Sequence, residues 1–172
     1  RLTSVPLCDN RVVKLPDGDY GHVERESGII YITCDHSGNS QSSEEEADVI
    51  LELVGDLTGR MLTGPEGREL RKVTAEDILV VAPYNMQVNL LKTKLGPTAR
   101  VGTVDKFQGQ EAPIVILSMC ASSTDDIPRG MDFLLSKNRL NVAISRAQSL
   151  AIVVASPRLK RPSCSTIEQI EL

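Results

Sequence analysis

Apolar positions along the chain follow two rhythms: short runs of consecutive hydrophobic residues, and longer segments in which they return every third or fourth position. GIIYITC, Gly28 to Cys34, is one of the runs, and its β-branched content predicts a strand. Behind the loop chemistry of DHSGNSQ, the segment SSEEEADVILELVGDLTG carries Val49, Ile50, Leu53, Val54 and Leu57 at helical spacing. Ser43 followed by Glu46 predicts a capping box at its start, Glu44 to Glu46 suit the positive end of the helix dipole, and Gly59 predicts its stop. RMLTGPEGRELRKVT, Arg60 to Thr74, is polar with Gly and Pro interspersed and predicts a surface loop or irregular insertion. DILVVAPY then predicts a buried strand, NMQVNLLKTKLG a helix ended by Gly96 ahead of Pro97, and ARVGTV a third strand. APIVILSMCAS is the most hydrophobic run and should lie centrally in a sheet covered on both faces. KNRLNVAISRAQ reads as a helix, SLAIVVASP as a fifth strand, and RLKRPSCSTIEQIEL as a weakly periodic tail. Strands alternating with helices predict an α/β fold on a mainly parallel sheet.

Composition narrows this picture. A chain of 172 residues with 41% hydrophobic content suffices for one domain with its own core. No apolar run approaches the roughly eighteen residues of a membrane span, and RLTSVPLCDNR lacks the apolar centre of a signal peptide, so a soluble, intracellular protein with no membrane partner is expected. Cytoplasmic placement is the default, nuclear if the source is eukaryotic. The chain opens on Arg1 rather than Met, as a piece of a longer polypeptide would. Cys8, Cys34, Cys120 and Cys164 lie far apart, with only His22 and His36 beside them, which signals neither a zinc site nor a disulfide framework. Cys120 reads as a small buried hydrophobe, and Glu44 to Glu46 as a helix start rather than a metal site. The net charge of -4 argues against a general nucleic-acid coat protein while leaving room for local phosphate contacts.

Candidate chemistry gathers in GTVDKFQGQE, Gly102 to Glu111, and NRLNVAISRAQ, Asn138 to Gln148, which hold more polarity than core packing requires. In parallel α/β sheets a ligand lies beyond the carboxyl ends of the strands. DKFQGQE follows the strand ending at Val104, PYNMQ the one ending at Ala82, and the helix with Arg146 the one ending near Ser122, so the polarity is expected at that edge, with Gly109 admitting a ligand close to the backbone. The chain contains no Gly-Lys pair, hence no phosphate loop of the usual form, and no Asp-Glu pair behind an apolar strand to hold magnesium.

VGTVDKFQGQEAPIVILS and NRLNVAISRAQSLAIVV resemble motifs V and VI of superfamily 1B, up-frameshift-like helicases, and VVAPYNMQ resembles motif IV. These blocks occur in the family's order over roughly residues 78 to 155. The resemblance implies a RecA-like, three-layer α/β/α domain of the P-loop NTPase type without its own Walker A loop. It would be a single carboxyl-side helicase domain over 1–172, with the motif-bearing core at about 28–156, a peripheral segment at 1–27 and a tail at 157–172. ATP would be clamped against an N-terminal RecA-like domain of the same polypeptide, which is absent here and would hold the Mg2+, and single-stranded DNA or RNA would cross both domains. The family's Tyr-Arg-Met-His-Pro block is also absent, so the chain starts just after it and should neither hydrolyse ATP nor unwind a duplex alone.

By the same resemblance Arg146 matches the arginine finger on the γ-phosphate, and Arg139 supports the site or pairs with an acid. Glu111 matches the acceptor for the nucleotide ribose, Gly109 allows close approach, and Gln108 and Gln110 bridge the nucleotide and nucleic-acid sites. Thr103 and Lys106 match donors to strand phosphates, and Lys106 reads equally as an exposed loop lysine. Gln87 touches nucleotide, or caps or pairs locally in the helix after Tyr84. Tyr84 stacks on a base or packs in the core, since aromatics at 3% provide no platform of rings. The implied function is the carboxyl-side motor domain of an ATP-dependent helicase or translocase. A partner-docking RecA-like module and a small-molecule nucleotide sensor are the alternatives.

Overall fold

The computed structural model describes residues 11–16, 18, 21–68, 70–123, 126, 127 and 137–160, the side chains of 137–139 and 160 excepted. The first ten residues and the tail beyond residue 160 lie outside the described residues. Along the chain come β1 (Gly28–Thr33), α1 (Glu44–Leu57), β2 (Met61–Thr63), β3 (Leu70–Lys72), β4 (Ile78–Val81), α2 (Asn85–Leu95), β5 (Arg100–Gly102), β6 (Ala112–Ser118), α3 (Lys137–Ile144) and β7 (Ala147–Ala155). Five strands form one sheet in the order β1-β7-β6-β4-β5, with every neighbouring pair parallel.

Alternation along the strands divides the core into two layers. Ile78, Val80, Ile114, Ile116, Leu150 and Ile152 face α1 and α2, where Ile50, Leu53, Leu57 and Leu91 are fully buried. Leu79, Val81, Val115 and Leu117 face the other side, against Phe107 and Ala143 of α3. Each fully buried Leu or Ile contributes about 1.5–3 kcal/mol of transfer free energy, so the central strands, apolar on both faces, anchor the domain. β6 is buried along its whole length and central in the sheet, as its composition requires. The result is a RecA-like, three-layer α/β/α architecture.

Helix ends follow local chemistry. At Thr58, after α1, the amide donates to Val54, and Gly59 beyond it takes φ +88, while α2 ends on Gly96 at φ +83. The Ser43 cap is half of the expected box. Its hydroxyl accepts from the Glu46 amide, but the Glu46 side chain turns into the core instead of back to Ser43.

Two expectations are corrected. The stretch from Arg60 to Thr74 is not simply a loop, because β2 and β3 pair antiparallel within it, around a turn closed by the Gly67 amide on Gly64 at 2.9 Å. Three-residue strands are too short for alternation to stand out against the flanking Gly and Pro. Residues before 28 are not all peripheral either. Val13 bridges Leu62, and Val13 and Val23 are fully buried in the core below α1 and α2.

Candidate functional site

Parallel strands give the sheet two chemically distinct edges. At the carboxyl edge, where β1, β7, β6 and β4 end, a polar network lies inside the protein. Glu46, in the first turn of α1, has no exposed surface, and its Oε2 accepts from the Ser118 hydroxyl at 2.6 Å and the Cys120 amide at 2.9 Å. Its Oε1 meets His36 Nε2 at 3.0 Å, and His36 Nδ1 meets the Ser122 hydroxyl at 2.8 Å. Cys120 adopts φ +52, the one positive φ among described non-glycine residues, and its amide is the one that donates to Glu46. Burial and the Glu46 charge push the Cys34 thiol up to about 11 and the Cys120 thiol higher still. Both are inert core groups, as expected for Cys120.

Gln87 completes this network. Its Nε2 donates to the Ser43 carbonyl at 3.2 Å and the Ser118 hydroxyl at 3.0 Å, while Oε1 accepts from the Ser43 amide at 2.8 Å. Both amide hydrogens are occupied and the side chain is fully buried. Gln87 therefore ties α2 to α1 and β6 rather than presenting itself to a nucleotide. Tyr84, only 6% exposed, likewise packs among Leu79, Phe107 and Met119 and offers no open ring face to a base. For Tyr84 the packing alternative is the one observed, whereas Gln87 bonds Ser43 and Ser118, far along the chain, rather than groups of its own helix.

The motif after β5 spans both edges, contrary to the expectation that its polarity would gather at the carboxyl one. Thr103 and Lys106 lie just past the carboxyl end of β5. Lys106 Nζ donates to the Val101 carbonyl at 3.3 Å and sits 5.7 Å from the Phe107 ring centre. Gly102 is the position of closest packing, since a Cβ there would meet Lys106 Cδ at 2.6 Å and the Phe107 ring at 2.9 Å. Phe107 plugs the α3-side core, and the chain then runs back across the sheet because a parallel β6 must start at the amino edge. Gln108, Gly109, Gln110 and Glu111 are exposed on that return. Gly109 takes φ +79 with open space around it, so the turn rather than crowding requires the glycine.

At the amino edge, Arg100 donates to the Glu76 carbonyl at 2.7 Å and to Gln110 Oε1 at 3.1 Å, linking the starts of β4, β5 and β6. Arg146 is not on a helix as expected. It lies in the turn between α3 and β7, its amide on the Ala143 carbonyl at 3.2 Å and its carbonyl accepting from the Ala112 amide at 3.0 Å. This backbone bond fixes Arg146 against the first residue of β6, immediately after Glu111. The guanidinium Nε of Arg146 is buried and has no hydrogen-bond partner among the described residues. A buried N–H without an acceptor is costly, and a negatively charged ligand would satisfy it. Two residues on, Gln148 Nε2 donates to Glu111 Oε2 at 3.2 Å. Arg139 belongs to α3, but its side chain lies outside the described residues. The structure thus brings Gln110, Glu111 and Arg146 together at one edge and leaves Thr103 and Lys106 toward the other.

The sequence matches the AAA domain family over residues 22–158. The chain belongs to that family, among the superfamily 1, up-frameshift-like helicases. Residues 22–158 also span every block that carries the motif resemblance. Among similar proteins, Probable RNA helicase armi of Drosophila melanogaster is 36% identical over 95 residues, 51% of this chain and 8% of that protein. An uncharacterized ATP-dependent helicase of Caenorhabditis elegans is 35% identical over 118 residues, 68% of this chain and 7% of its own length. DNA-binding protein SMUBP-2 of Mesocricetus auratus is 39% identical over 89 residues, 50% of this chain and 9% of its own. The matched segments thus make up less than a tenth of each of these relatives. No helix among the described residues of this helicase domain is long and apolar enough to cross a membrane.

The buried network of the helicase domain was the main element missed from sequence. Its one legible sign was Ser43 with Glu46, which local pattern assigns to capping. His36, Ser118 and Ser122 stand in unrelated stretches that only the sheet brings together. Gln148 was likewise read as the end of a helix, whereas it sits in β7 against Glu111.

Proposed function

We propose that this chain is the carboxyl-side motor domain of an ATP-dependent helicase or translocase, working with an N-terminal RecA-like domain of the same polypeptide on single-stranded DNA or RNA. The observation that carries this reading is the buried Nε of Arg146, without a partner among the described residues, in a residue whose carbonyl accepts from the Ala112 amide, one position after Glu111, at the amino edge. The Arg146 guanidinium suits an anion and the Glu111 carboxylate a hydroxyl donor, and a nucleotide offers both, as phosphates and ribose. ATP, with Mg2+ held by the N-terminal domain, would supply the phosphoryl group that is transferred to water.

Arg146 acts as the finger. Its backbone is tied to Ala112, which fixes the main chain the guanidinium extends from, and its charge would offset the charge that develops on the transferred group. Glu111 holds the ribose, and Gln110, already held by Arg100, lines the same edge. Thr103 and Lys106 approach strand phosphates from the carboxyl side of β5, while Gln108 lies between. Because Thr103 and Glu111 flank one short segment anchored by Phe107, a shift of the nucleotide-side backbone is passed to the strand side, coupling hydrolysis to rigid-body domain movement.

The test is strand-stimulated ATP hydrolysis by the full-length helicase carrying Arg146→Ala, with nucleotide binding measured alongside. Persisting binding with turnover reduced by roughly three to five orders of magnitude supports the finger. Unchanged turnover removes Arg146 from the mechanism and favours a partner-docking role for the domain.

A further inference from the structure

Arg11, Gln148 and Glu111 form a relay at the amino edge whose order follows from donor and acceptor chemistry. Arg11 NH1 donates to Gln148 Oε1, and Gln148 Nε2 donates to Glu111 Oε2 at 3.2 Å. A glutamine amide alone can be turned either way around. An arginine has only donors and a carboxylate only acceptors, so between the two just one orientation of Gln148 makes both bonds. The backbone beneath is fixed as well, since Ala112 pairs with Ala147 and the Ala112 amide bonds the Arg146 carbonyl at 3.0 Å. Glu111 and Gln148 are the residues flanking that pair.

We propose that Gln148, oriented by Arg11, is a positioning residue that holds the Glu111 carboxylate with one oxygen occupied and the other turned to the sugar hydroxyls of the nucleotide, and so sets the preference for ribonucleotides. This rests on the ribose-binding reading of Glu111. Glu111 is exposed, and without a second partner its carboxylate samples several rotamers, which would weaken any contact to a sugar hydroxyl. Arg11 comes from the segment before β1, Glu111 from the stretch before β6, and Gln148 from β7, so the relay also draws three separate parts of the chain onto the nucleotide-facing edge.

The experiment measures kcat and KM of the full-length helicase for ATP and for its 2′-deoxy and 3′-deoxy analogues, with saturating strand. Gln148→Leu should raise KM for ATP about tenfold, the scale of one hydrogen bond to a charged group, with most of the loss in KM rather than kcat. It should leave KM nearly unchanged for the analogue lacking the hydroxyl that Glu111 holds, so that the ATP-to-deoxy preference collapses. Arg11→Ala should reduce the same preference and add nothing on top of Gln148→Leu, as residues in one chain of contacts do. Gln148→Glu, similar in size, faces Glu111 with a like charge and should be at least as damaging, which separates positioning from lost packing. Glu111→Ala is the reference. If it abolishes the preference while both Gln148 variants retain it, the relay is overturned and the ribose reading stands. If Glu111→Ala itself retains the preference, the ribose reading falls and the relay falls with it.

Discussion

The two edges of the sheet carry similar polar side chains in opposite states. At the carboxyl edge Glu46, Gln87, Ser118 and Ser122 are fully buried and joined in one network, Ser122 through the His36 ring. At the amino edge Gln110, Glu111 and Gln148 are exposed or half-buried, and Arg146 keeps a buried N–H without a partner among the described residues. Buried polar groups stabilise only when every donor and acceptor is matched, and then they fix one arrangement of the elements that contribute them. Groups left partly unmatched at a surface are available to a ligand. The polarity that stands out in the sequence therefore divides into a buried, bonded set and an exposed one, and burial rather than residue type separates them.

The largest effect that would break this contrast is on turnover. Arg146→Ala should reduce strand-stimulated ATP hydrolysis by the full-length helicase about a thousandfold or more while leaving folding intact. Next comes Glu46→Ala, which strands the Ser118 hydroxyl, the Cys120 amide and the His36 ring and should destabilise the domain by about 3–5 kcal/mol. Native-state hydrogen exchange of the β6 amides reads that loss, and wild-type exchange in the variant would show that the network carries no weight. Gln87→Ala should cost about 2 kcal/mol by the same readout and leave nucleotide affinity of the folded fraction unchanged. A direct loss of affinity would return Gln87 to the nucleotide site.

The smallest effect is on acid stability. Burial alone would raise the Asp77 carboxyl, but the Arg71 fork and the Thr74 amide and hydroxyl outweigh it and hold it below the ordinary range. A depressed folded pKa stabilises above the unfolded value of about 3.9 and is lost as pH falls through the folded one. Asp77→Asn should therefore lower stability slightly near neutrality and flatten its decline below about pH 4. Arg71 is more than half exposed, at 56%, so solvent keeps the difference under about 1 kcal/mol.

Long apolar runs made most of this architecture legible. β4, β6 and β7 and the helices α1 and α2 stand where hydrophobic rhythm and the glycines Gly59 and Gly96 place them. Placement of the site was less legible, because each motif was counted from the strand before it. In a parallel sheet the residues just ahead of the next strand belong to the opposite edge, which moved Gln110, Glu111 and Arg146 to the amino end. Tyr84 and Gln87 look like ligand residues in sequence because a polar or aromatic side chain beside a motif has the same letters whether it faces solvent or core. Glu46 shows the same limit, since a capping pattern describes the backbone but not the destination of the side chain.

Hydrogen exchange of the full-length helicase, with and without a non-hydrolysable ATP analogue, tests the division of the two edges most directly. The amides of 108–112 and 145–148 should gain protection with nucleotide, while those of 118–122 and 43–47 should be protected already and unchanged. Protection gained at 118–122 and 43–47, with none at 108–112 or 145–148, would contradict the assignment of the amino edge as the nucleotide-facing surface.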